Sequence, residues 1–192
     1  MSGLASARSG SEQASGIDAR SLYQRILGVD FERLPASLRA LHARDGVRRY
    51  AGEAEASRGA GWLSRLCGGI AGLPPAHAGA IEVEIDAGRH GETWIRRFGH
   101  SAMRSRLRER DGLIHERLGP MAFAFALELV DDGVIWRLRS VRALGVPLPL
   151  PWFDGMRAHE FEREGRYRFD VRAALPGIGL LVHYRGWLTI GE

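Results

Sequence analysis

Met121-Ala122-Phe123-Ala124-Phe125-Ala126-Leu127 alternates large apolar side chains with alanine. Successive side chains of an extended strand point to opposite faces, so this stretch predicts a strand with one bulky face and one slim face. Arg104, Arg106, Arg108 and Arg110 alternate in the same way just upstream. Together the two runs predict a sheet whose faces differ chemically.

Working outward, strands are expected at 80–87, 92–98, 101–110, 113–118, 121–130, 133–143, 157–164, 166–174 and 179–190, with a first strand over 47–57. Turn signals separate many of them: Gly88–Gly91, Asp111-Gly112, Asp131-Asp132-Gly133, Glu164-Gly165 and Pro176-Gly177. Spacing this close leaves no room for crossover helices, so neighbouring strands run antiparallel. About ten strands in one open sheet would expose long edges, and closure or strong curvature removes them. The expected fold class is therefore mainly β (α+β), a ten-stranded antiparallel β-barrel or strongly curved sheet. Strand, helix, then hairpin ladder is also the order of small lipid-binding barrels, where the helix covers the mouth, an analogy at fold level alone.

The helices fall early. Residues 18–44 predict two of them, the first with Leu22 and Ile26 on one face and Gly28 as C-cap, the second with Leu34, Leu38 and Leu41 in register and Pro35 in its first turn. They are expected outside the sheet or across one end of it. A third helix follows the first strand, with Trp62, Leu66, Ile70 and Leu73 on one stripe and Pro74-Pro75 as its stop. Its internal glycines each cost about 1 kcal/mol, so packing has to hold it. Leu144–Phe153 is apolar and proline-rich, hence an edge or an excursion from the sheet, expected to pack mainly against the body.

All 27 basic residues are arginine. Lysine and asparagine are both absent, which points to a GC-rich genome rather than to selection for guanidinium chemistry. Twenty-three acidic residues are interspersed with the arginines, so no basic block marks a nucleic-acid surface. A membrane span is not expected either, for want of 18 or more consecutive apolar residues. Residues 1–17 read as a disordered tail on a cytoplasmic protein, and 18–192 as a single barrel-like domain. Cys67, the one cysteine, excludes an internal disulfide and is expected to be a buried structural thiol.

Phe161–Val171, Leu175-Pro176 and Gly179–Leu188 resemble the end of a bacterial family of uncharacterised domains. The resemblance extends upstream through Leu118-Gly119-Pro120, Trp94–Phe98 and Leu34-Pro35 to Leu22–Gly28, covering roughly residues 20–190. Such domains occur alone or behind oxidoreductase-like domains of the saccharopine-dehydrogenase type. The resemblance thus implies a role accessory to an oxidoreductase, and it carries no established activity or catalytic residues. No Gly-x-Gly-x-x-Gly stretch for a dinucleotide occurs in this chain.

Chemistry-bearing candidates are few. His183 lies on a strand with Arg185 and Trp187 on its own face, and Glu160 or Glu162 would be available as an orienting carboxylate for a base. His100, His115 and His183 would have to converge to bind a metal or haem, and none has helical zinc spacing. No Gly-x-Ser-x-Gly elbow occurs. An arginine pointing inward among Phe123, Phe125, Trp136 and Tyr184 would hold an anionic head group above an apolar cavity. The expected ligand-binding residues are His183, Arg185, Trp136, Phe123, Phe125 and Tyr184. The expected ligand is an apolar or amphipathic small molecule. The alternatives are an enzyme with a strand histidine as general base, and an interaction module docking through 144–153. No cofactor is identified.

Overall fold

A computed structural model describes residues 20–191, so the tail expected over 1–17 lies outside the described residues. Ten strands close into a single antiparallel barrel. In chain order they are β1 (Gly46–Arg58), β2 (His77–Gly88), β3 (Gly91–Phe98), β4 (Ser101–Arg110), β5 (Leu113–Leu118), β6 (Met121–Val130), β7 (Gly133–Ala143), β9 (Arg157–Arg163), β10 (Arg166–Leu175) and β11 (Gly179–Thr189). A short β8 (Val146–Leu148) adds to one end of β7. β1 pairs with both β2 and β11, and β6 with β7, so the order of strands runs round without a free edge between them.

The alternation that predicted the strands also sorts inside from outside. Leu107, Ile114, Phe125 and Val134 are buried within, while Arg104, Arg106, Arg108 and Arg110 are exposed on the outer face. One irregularity adjusts the pattern. Ala124 pairs with Ser140 but Phe125 pairs with Leu138, so Arg139 is an extra residue bulged out of β7. The bulge lets Trp136 and Val141, five positions apart and of opposite parity, both be buried inside.

Helix α1 (Leu22–Leu27) begins with a capping box, in which the Ser21 hydroxyl accepts from Gln24 N–H and Gln24 Oε1 accepts from Ser21 N–H. Gly28, at φ 56°, ends it. A 3₁₀ turn over Gly28–Arg33 follows, unanticipated because its bends carry no strong sequence signal. Pro35 precedes α2 (Ala36–His42) instead of sitting in its first turn. Leu22, Tyr23, Phe31, Leu34, Leu38 and Leu41 all go into the core, so these helices plug one end of the barrel.

At the other end three expectations are corrected. In α3 (Trp62–Ile70) the apolar stripe faces solvent, Trp62 being 73%, Leu66 52% and Ile70 61% exposed. The helix docks by small residues instead. Gly68 lies against the Arg58 guanidinium, and the Ser64 hydroxyl donates to the Leu180 carbonyl. Leu144–Phe153 likewise packs only in part, with Leu148 and Phe153 against the core but Leu144, Val146 and Trp152 exposed. Cys67, within α3, is half-buried and not fully enclosed.

Gly186 of β11 faces inward, and a Cβ there would collide with the Glu53 carbonyl and the Phe169 ring. Overpacking of this kind costs about 1–3 kcal/mol. Gly186→Ala is expected to lower the denaturant midpoint accordingly, with an unchanged midpoint indicating that β1 and β11 can separate without cost.

Candidate functional site

The barrel's inner face encloses a cavity in two connected parts. A deep pocket of about 70 Å³ is walled by Trp94, Phe125, Trp136 and Phe169. A larger chamber of about 350 Å³ lies towards the end opposite the helical plug, with α3 and the 148–153 segment forming its lips. Glu116, Met156, Val171 and Tyr184 line both. The chamber's lining is overwhelmingly aliphatic and aromatic, and its size falls within the range of small-molecule sites.

Polar groups concentrate at the deep end and the junction. Arg96 comes from β3, where Trp94, Arg96 and Phe98 share the inward face. Its guanidinium lies 4.7 Å above the Trp94 ring, donates to Ser105 Oγ at 3.0 Å, and stands 4.0 Å from Glu116. Both contacts use Nη1, leaving further donors of the guanidinium fork for another group. Burial pushes the Tyr184 phenol at the junction up to about 12. The buried Trp136 indole N–H has no hydrogen-bond partner among the described residues.

The floor is a latch between plug and barrel. Tyr23 donates its hydroxyl to Glu160 Oε2 at 2.9 Å, and His42 Nε2 lies 2.8 Å from the same oxygen. The Tyr23 and His42 rings stack 3.5 Å apart. Burial first, and the Glu160 charge second, hold the phenols of Tyr23 and Tyr167 well above their ordinary range. Close by, Trp94 Nε1–H donates to Glu92 at 2.8 Å.

Alternation places the expected site residues on two sides of the wall. Phe123, Phe125, Trp136 and Tyr184 face the cavity. His183 and Arg185 flank Tyr184 in β11 and so face outward, His183 towards Asp170 at 2.9 Å and Arg185 towards Glu55 at 2.9 Å. Glu160 meets His42 and not His183, because it points inward from β9. His115, between inward Ile114 and Glu116, faces out. Among the described residues no group of three or more His, Cys, Asp or Glu is placed to hold a metal. Sequence reading passed over Arg96 and Glu116. The signal was available: each is a charged residue standing in the apolar parity of its strand, between Trp94 and Phe98 and between Ile114 and Leu118.

The molecule is thus a ten-stranded antiparallel β-barrel, plugged by helices at one end and hollow towards the other. Residues 34–188 match the family described as domain of unknown function (DUF4166), and the chain belongs to it. No curated protein matches this chain.

Burial raises the Glu92 carboxyl above the usual carboxylate range. An acid of this kind binds its proton more tightly folded than unfolded. Its contribution is therefore most favourable below the ordinary carboxylate range and declines as pH rises through it towards the raised value. Glu92→Gln keeps an oxygen for the Trp94 indole and removes the buried charge. The variant is expected to melt above the wild type near pH 7, with the gap closing towards about pH 4; equal melting curves throughout would mean that Glu92 is solvated.

Proposed function

We propose that the barrel binds an amphipathic small molecule, its polar group against Arg96 and Trp136 and its apolar body in the chamber towards the lips. One observation carries this reading: the half-buried Arg96 guanidinium, with spare donors, and Trp136, whose buried indole N–H has no partner among the described residues, line one apolar cavity. A buried donor without an acceptor costs about 1–3 kcal/mol, and a bound acceptor recovers it. Partial desolvation of Arg96 is likewise costly unless the charge is paired, and Glu116, the acid facing it, stands at 4.0 Å, outside hydrogen-bond distance. Phe123, Phe125 and Tyr184 complete the wall. The oxidoreductase association implied by the family resemblance would make the barrel an accessory that holds such a molecule for a redox partner. A base within the barrel would have to be sought at Glu160 and His42, since His183 faces outward towards Asp170.

Titration with a fluorescent medium-chain fatty acid below its micelle concentration tests this reading. Saturable binding is expected. Trp136→Phe and Arg96→Met should each weaken it about tenfold or more, equivalent to about 1.4 kcal/mol. Ala173→Trp, which fills the chamber, should abolish binding while the protein stays folded. Absence of saturable binding, or binding indifferent to Ala173→Trp, overturns the proposal.

A further inference from the structure

Most of the large exposed apolar residues are gathered at one end of the molecule, Val29 and Val47 standing apart at the plugged end. Trp62, Leu66 and Ile70 stand out from α3, and Leu144, Val146, Leu150 and Trp152 from the segment joining β7 to β9. Both sets border the chamber, because Ile70 and Trp152 also line it. The two lips are therefore continuous with the cavity. A patch of this extent on a soluble surface marks an interaction site.

Charge at this rim is mainly positive. Arg65 on α3, Arg142 beside the β7–β8 turn and Arg157 at the start of β9 are all exposed, against Asp154 as the one acid among the described residues of this rim. The turns at the plugged end are mixed, with Asp111, Asp131, Asp132 and Glu164 standing beside exposed Arg89, Arg110, Arg163 and Arg166. Aromatic and aliphatic side chains ringed by arginine, with tryptophan among them, match the boundary of an anionic bilayer, where apolar groups enter the acyl region and cations meet the head groups.

We propose that the open end docks on the surface of anionic phospholipid membranes through these two lips, so that an amphipathic molecule passes between bilayer and cavity without crossing water. The transfer part rests on the cavity reading above; the docking part rests on the rim alone. No described helix is long and apolar enough to cross a membrane, and none is needed, because the lips reach only the interfacial region.

Vesicle flotation separates the two. Wild-type protein is expected to float with vesicles containing about a third phosphatidylglycerol, to bind pure phosphatidylcholine vesicles about tenfold less, and to be released by salt. The combined variant Trp62→Ser, Leu144→Ser, Val146→Ser alters exposed residues outside the cavity lining, so it should stay folded. It should lose vesicle binding yet bind the soluble fatty-acid probe as the wild type does. Neutralising Arg65, Arg142 and Arg157 with glutamine should erase the preference for phosphatidylglycerol. Wild-type protein that binds the probe but floats with neither vesicle overturns docking and leaves the cavity reading intact. Vesicle binding that survives the serine variant also overturns it, as does a dimer in sedimentation velocity that the same variant dissolves, because a second copy would then cover the lips.

Discussion

Closure of the sheet is the constraint on which the rest depends. A strand edge left open in a ladder of this length would offer unpaired N–H and C=O groups to any passing chain. β7 resolves this by serving three neighbours: β6 along its length, β9 over Gly133–Ile135 and β8 over Val141–Ala143. Once the wall is continuous, alternate side chains have only two destinations. The inward set is too large in circumference to meet at the axis everywhere, and a hollow remains where no helix fills it.

The two ends answer that hollow differently. At the plugged end, Leu22, Phe31, Leu34, Leu38 and Leu41 and the Tyr23–Glu160–His42 cluster fill the barrel, with hydrogen bonds satisfying the buried carboxylate. At the other end α3 contributes glycine and serine to its contact with the barrel, and its bulky residues are turned away. Small residues allow close approach but fill little space, which is why the chamber persists beneath the helix. Stability and hollowness are thus assigned to opposite ends of one barrel.

Strand positions were legible because period-two patterning and glycine turns are local signals; residues 101–110, 113–118, 121–130 and 133–143 were all placed within the bounds they adopt. Barrel closure followed from the edge argument. The inward aromatic residues were legible for the same reason as the strands. Which arginine turns inward was not read, since twenty-six others dilute the one at position 96, although its parity with Trp94 and Phe98 held the answer. His183 attracted attention by its company in sequence, while His42, the histidine buried in the core, lay on a helix whose partner strand is more than a hundred residues distant. Helical periodicity found the α3 stripe correctly but carries no information on whether a partner exists to cover it.

The pairing of β1 with β11 joins Ala51 to Thr189. During synthesis the first strand emerges long before the strand that will lie beside it. Until β11 leaves the ribosome, the growing sheet is an open ribbon with its aromatic face uncovered. Contacts so distant along the chain make folding slow and put the nascent protein in need of protection from its own kind. The plug helices are made before the barrel strands and have β9 and β10 to wait for, so the last strands of the barrel to be made are the ones that turn a sheet into a container.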